Sequence, residues 1–129
     1  MANINLSGTI HNESQSKVIN DRIALLETTM GGLCDTFGKI ARKNARLRDT
    51  TDGLVAQLTE YSAKEKINTN SKKGLVSFGS FVSAVEDYRN AMIERVEKKI
   101  IQPISKYQEY LKSSKVIFSK FQMKSMYQY

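Results

Sequence analysis

From Ile19 onward the apolar positions become regular. Ile19, Ile23, Leu26, Met30, Leu33, Phe37, Ile40, Asn44, Leu47, Thr51, Leu54, Leu58 and Tyr61 follow one another at alternating spacings of four and three. Only Asn44 and Thr51 in that series are polar. A seven-residue repeat sustained over this length predicts one helix of coiled-coil type, because 4-3 spacing keeps a single apolar seam on one side. At 1.5 Å per residue it is about 64 Å long, too long for a compact bundle of this size. Gly31-Gly32 lies inside it, costs helix stability and marks a place for a bend. A core Asn such as Asn44 commonly fixes register.

Residues 1–16 are polar, with scattered Asn, Ser and Gly, and read as a mobile N-terminal arm. The helix is placed at 17–62, followed by a loop at 63–73, where AKEKINTNSKK has no periodicity. A second series, Leu75, Phe78, Val82, Val85, Met92, Val96, Ile100, Ile104, Tyr107 and Leu111, predicts a helix over 74–112. Arg89 occupies one of its expected core slots, and the spacing stutters near Ile100. Pro103 falls within this helix and predicts a kink, since it lacks a backbone donor and crowds the preceding turn. Residues 113–129 are aromatic, Met-rich and less periodic. The expected fold is therefore all-α, with two long antiparallel helices. Two helices bury only one stripe each, so a further helix or a second chain must cover the rest, and a homodimer is expected.

Composition narrows the function. The chain of 129 residues carries a net charge of +7, which favours polyanionic partners: nucleic acid, anionic lipid or an acidic protein surface. One Cys and one His leave no intramolecular disulfide and too few ligands for a Cys/His zinc site. Cys34 beside Leu33 reads as a small buried hydrophobe. Glu94 and Glu97, with Arg95, Lys98 and Lys99, read as a solvated face. No nucleophile–base pair and no phosphate-binding glycine loop are evident, so neither catalysis nor a cofactor or metal is expected. The start of the chain has no signal-peptide pattern, and no apolar run is long enough to span a membrane, which suggests a reduced, cytoplasmic protein.

The densest charge lies in IARKNARLRDT, residues 40–50, which holds Arg42, Lys43, Arg46 and Arg48 against Asp49. On a helical wheel Lys39, Arg42, Lys43 and Arg46 share one arc of about 100°, while Arg48 points elsewhere. The arc runs beside the Phe37/Ile40/Asn44/Leu47 seam without interrupting it. Two readings stay open: a charged flank that keeps a long helix soluble, or an anion-binding stripe. Nucleic acid is disfavoured, because a helix packed along that seam is not a free basic helix for a major groove. An anionic membrane surface fits better, gaining roughly 1 kcal/mol per basic residue near it.

Several blocks resemble the Chibby-interacting BAR-domain family. They are Leu33-Cys34, Phe37, Arg42-Lys43, Ala45-Arg46-Leu47-Arg48-Asp49, Asp87-Tyr88-Arg89, Glu94-Arg95, Glu97 and Pro103, in order over about residues 16–112. The resemblance implies a crescent dimer of long kinked helices that binds acidic phospholipid and senses or shapes curvature. It also implies action with Chibby in cilium assembly at the centriole and basal body, with a link to mitochondrial membranes. Carried over to this chain, Arg42, Lys43, Arg46 and Arg48 match the family block and are candidate lipid-facing or dimer-stabilising residues. Lys39 joins the lipid-binding candidates through its place on the arc, and Pro103 is the candidate kink. Leu26, Leu33, Phe37, Ile40, Leu47, Leu54 and Leu58 are candidates for the helix seam and dimer core. A BAR protomer has three long helices, so 17–112 is expected to be a partial one and 113–129 a divergent ending. The rival expectation is a coiled-coil adaptor that binds partner helices without membrane contact.

Overall fold

The computed structural model describes the backbone of residues 2–127 and the side chains of residues 13–127. Helix α1 spans Ala2–Lys64, α2 spans Thr69–Val96, a π-helical turn covers Glu97–Ile101, and α3 spans Gln102–Tyr127. Among the described residues there is no strand, so the all-α expectation holds. Two compact units form: one joins residues 36–102, the other residues 1–35 and 103–129.

Three boundaries differ from expectation. Helical backbone starts at Ala2, within the segment expected to be a mobile arm. Once a helix is nucleated, each further residue gains a hydrogen bond for one more fixed residue, and nothing in the polar N-terminal stretch breaks it. The side chains of residues 2–12 lie outside the described residues, as does Met1 altogether. The loop is much shorter than 63–73, because NTNS is a helix start. Asn68 is the N-cap, its Oδ1 accepting the Ser71 N–H at 3.0 Å. At the other end α3 continues to Tyr127, through the segment expected to diverge.

Just before Pro103, where a kink is expected, the helix forms the π turn. Gln102 N–H donates to the carbonyl of Glu97, five residues back. Such a turn inserts one residue into a helix and moves its carbonyls outward, which accommodates a proline ring that would crowd the carbonyl four residues back. It also explains the stutter. Met92, Val96, Ile100 and Ile104 are spaced 4-4-4 where the series calls for 4-3-4, one residue too many. That extra residue is absorbed in the turn. At Gly31-Gly32, by contrast, α1 is continuous.

In the unit of residues 36–102, the later part of α1 runs antiparallel to α2. Asn44 and Arg48 pair with Arg89 and Asn90, and Val55 and Ser62 face Gly79 and Leu75 nearer the loop. In the other unit Cys34 meets Ser105 at 3.6 Å and Glu27 meets Lys115 at 3.4 Å, again an antiparallel pairing of α1 with α3. The helices approach through small side chains. Gly31, Cys34, Gly38, Ala41 and Ala45 follow one another at 3-4 spacing on α1, and all are buried or half-buried. A Cβ on Gly31 would come within 3.3 Å of Gln108 Nε2. Ala41, Ile93 and Leu111 are the buried apolar residues, and no large side chain among those described is fully buried.

Candidate functional site

Lys39, Arg42, Lys43 and Arg46 are all exposed. Measured around the helix from buried Ala41 and Ser62, they occupy the side of α1 turned away from α2. The Arg42 guanidinium lies back over Gly38, where an added Cβ would meet Nη1 at 3.1 Å, and Lys39 is held in an interaction of its own. These four form one outward-facing cationic surface.

Arg48 does not belong to it. Its Nη1 donates to Asn90 Oδ1 on α2 at 2.7 Å, and its Nη2 pairs with Asp49 at 2.9 Å. One turn away Arg89 donates to Asn44 Oδ1 at 3.0 Å and to Glu86 Oε2 at 2.9 Å. Glu86 is 5% exposed, so its carboxylate is removed from water and matched by the guanidinium. Asn44 Nδ2 donates to the carbonyl of its own Ile40, and the Thr51 hydroxyl to that of Leu47. Both polar residues in the first apolar series are thereby satisfied. The polar intruder of the second series, Arg89, meets the first-series Asn44 directly.

The candidate seam residues divide. Leu26, Phe37 and Leu58 are half-buried on the packed side of α1. Leu33, Ile40, Leu47 and Leu54 are 41–48% exposed and spaced by seven, with Tyr61 continuing the row. The packed stripe is thus turned one residue from the expected one, onto Cys34, Ala41, Arg48, Val55 and Ser62. The overlooked signal was the small-residue row itself, since small side chains let two helix axes approach closely. On α2 the same division leaves Phe78, Val85 and Met92 exposed, again spaced by seven. In an antiparallel pair, the positions just before the packed stripe on each helix face the same side. Ile40, Leu47, Leu54 and Tyr61 therefore share one side of this unit with Phe78, Val85 and Met92.

The opposite side of the unit is a shallow groove near the loop. It is floored by small residues including Ala63, Gly79, Ser80 and Ser83. The Ser62 hydroxyl in this region is buried and has no hydrogen-bond partner. The loop itself is held by Glu65, whose carboxylate accepts the Tyr61 hydroxyl at 2.6 Å and the N–H groups of Ile67 and Asn68 at 2.8 and 2.9 Å. The tyrosine hydrogen bond, followed by the backbone donors, lowers the Glu65 pKa to about 2, and the same contact raises that of Tyr61. Among the described residues no group of three His, Cys, Asp or Glu is placed to hold a metal ion, and no helix is long and apolar enough to cross a membrane.

Comparison with known proteins places these surfaces in a family. Residues 2–123 match the model of the family described as FAM92 protein. The CBY1-interacting BAR domain-containing protein 1 of Danio rerio is 38% identical over 103 residues, 80% of this chain and 34% of that protein. The Mus musculus protein of the same name is 37% identical over 95 residues, covering 74% of this chain and 32% of the relative. The Homo sapiens protein is 36% identical over 100 residues, 77% of this chain and 34% of the relative. The chain spans about a third of the length of these curated relatives. With the family model matching almost the whole chain and the all-α paired helices agreeing with it, the chain belongs to the FAM92 family.

Proposed function

We propose that this chain is the helical part of a BAR-like protein that self-associates and binds acidic phospholipid, sensing or shaping membrane curvature. The observation that carries the reading is the cationic side of α1. Lys39, Arg42, Lys43 and Arg46 are exposed together on the side away from α2. Each gains roughly 1 kcal/mol near an anionic bilayer, and the sum is large enough to hold the protein there. Arg48 is left out of the lipid set because Asn90 and Asp49 engage it.

Self-association uses a different side. On α1 the row Ile40/Leu47/Leu54 adjoins the basic arc at Lys43, while Arg42 and Arg46 are turned further from it. A second copy on this row and on Phe78/Val85/Met92 therefore leaves those arginines open to lipid. A helix pair without a fully buried large side chain is short of core, and covering these rows supplies one. Relatives named for interaction with CBY1 support a Chibby-type partner; a role in cilium assembly at the centriole and basal body is part of the same proposal. The action is by charge and shape, without catalysis.

Vesicle co-sedimentation tests the reading. Binding rises with anionic lipid and falls with salt, as for any screened attraction; equal binding to neutral and anionic vesicles would overturn it. A second reading draws on the exposed apolar rows alone: an adaptor whose rows receive a partner's helix while the basic arc is idle. In that case charge reversal at Arg42, Lys43 and Arg46 leaves function intact.

A further inference from the structure

Ile67, at the apex between α1 and α2, is 94% exposed, more than any other large apolar side chain among those described. Around it stand Lys64, Lys66, Lys72 and Lys73, against Glu60 and Glu65. Lys64 pairs with Glu60, and the Glu65 carboxylate at the apex is engaged by the Tyr61 hydroxyl and two loop N–H groups. The surface at the apex is one bare aliphatic side chain with the exposed Lys66 and Lys73 close to it in the chain, while Lys72 is half-buried along the groove.

We infer that this apex is a membrane wedge, in which Ile67 enters the headgroup–acyl boundary of an anionic bilayer while Lys66 and Lys73 contact lipid phosphates. The backbone favours it. Taking a loop out of water is costly chiefly for its unpaired peptide groups. Here the Ile67 and Asn68 N–H groups are satisfied by Glu65, and the Ser71 N–H by Asn68. The same bonds fix the loop, so Ile67 is presented without a further ordering cost. An apolar residue with flanking lysines is the combination that interfacial anchors use, apolar burial adding to attraction for anionic lipid. The inference rests on the membrane reading above but names a site separate from the basic arc.

The chain contains no Trp, so Ile67→Trp installs a single indole reporter. Tyr88→Trp, at an exposed position on α2, is the control. Emission is recorded with phosphatidylcholine vesicles, with and without phosphatidylserine, and with brominated acyl chains as quencher; co-sedimentation of the parent is measured alongside. A blue shift and quenching at position 67 but not 88, only with phosphatidylserine, is expected. Ile67→Asp, with unchanged helical circular dichroism, is expected to bind about tenfold more weakly, the effect of removing one buried aliphatic side chain. If the parent sediments but the indole at 67 neither shifts nor is quenched, the wedge is wrong and the membrane reading stands. If the parent fails to sediment, the membrane reading falls and takes the wedge with it.

Discussion

Arg89 Nη1 donates to Asn44 Oδ1 at 3.0 Å, joining the one polar residue of the α2 series to a polar residue of the α1 series. Glu86, almost fully buried, accepts from the same guanidinium. A slip of one helix along the other would leave a carboxylate and a guanidinium unpaired, so this layer sets register. Arg89→Met is expected to destabilise the protein by about 1–3 kcal/mol, because it strands Glu86. Adding Glu86→Gln should recover part of the loss. Urea denaturation of the two single variants and the double variant checks it, and additive effects would contradict the coupling.

Packing on α1 depends on small residues in one row and tolerates larger ones beside it. Ala41→Leu, at a buried contact, should cost about 1–3 kcal/mol by overpacking. Gly32→Ala, where an added Cβ meets nothing within 4 Å, should stabilise by about 0.5–1 kcal/mol through helix propensity. Thermal denaturation followed by circular dichroism at 222 nm separates the two signs.

How much of this was legible in the sequence varies with the element. The two helices, the polar residues at Asn44 and Arg89, and the disturbance before Pro103 all followed from spacing. That Asn44 and Arg89 meet did not, because a periodic pattern gives each helix its face but not the offset between helices. The stripe packed within one chain lies one residue from the apolar series for a physical reason. Apolar spacing ranks positions by hydrophobicity, whereas these helices approach over Gly31, Cys34 and Ala41, where side-chain size decides. The loop was overextended because Asn and Ser favour both turns and helix caps, and only the Asn68–Ser71 bond distinguishes them. Arg48 joins the lipid candidates only through the family block, since the helical wheel already turns it from the arc; its partner Asn90, 42 residues away, follows from no pattern in the sequence.

The exposed rows predict self-association. The parent chain should be dimeric by sedimentation velocity, with a melting temperature that rises with concentration. Leu47→Asp combined with Leu54→Asp should shift it to monomer at concentrations where the parent is dimeric. A parent that stays monomeric throughout would contradict this use of the rows.

Acid should loosen the loop. The Glu65 pKa is depressed to about 2 from an ordinary value of 4.5. Its contribution to loop order is therefore present above pH about 4.5 and is lost as pH falls through about 2. The groups facing its carboxylate are the Tyr61 hydroxyl and the loop N–H groups. Amide NMR shifts of Ile67 and Asn68 should titrate together with a midpoint near 2. A midpoint near 4.5 would mean that the carboxylate does not hold the loop.

Most direct for the central claim is co-sedimentation with phosphatidylserine-containing vesicles of the parent beside Arg42→Glu/Lys43→Glu/Arg46→Glu. The basic arc is predicted to carry binding. The parent should pellet with anionic vesicles and be released by salt, while the triple variant, with its helix content and dimerisation intact, stays in solution at every lipid concentration the parent needs. Equal pelleting of the two proteins would contradict the assignment of the α1 arc as the membrane-binding surface.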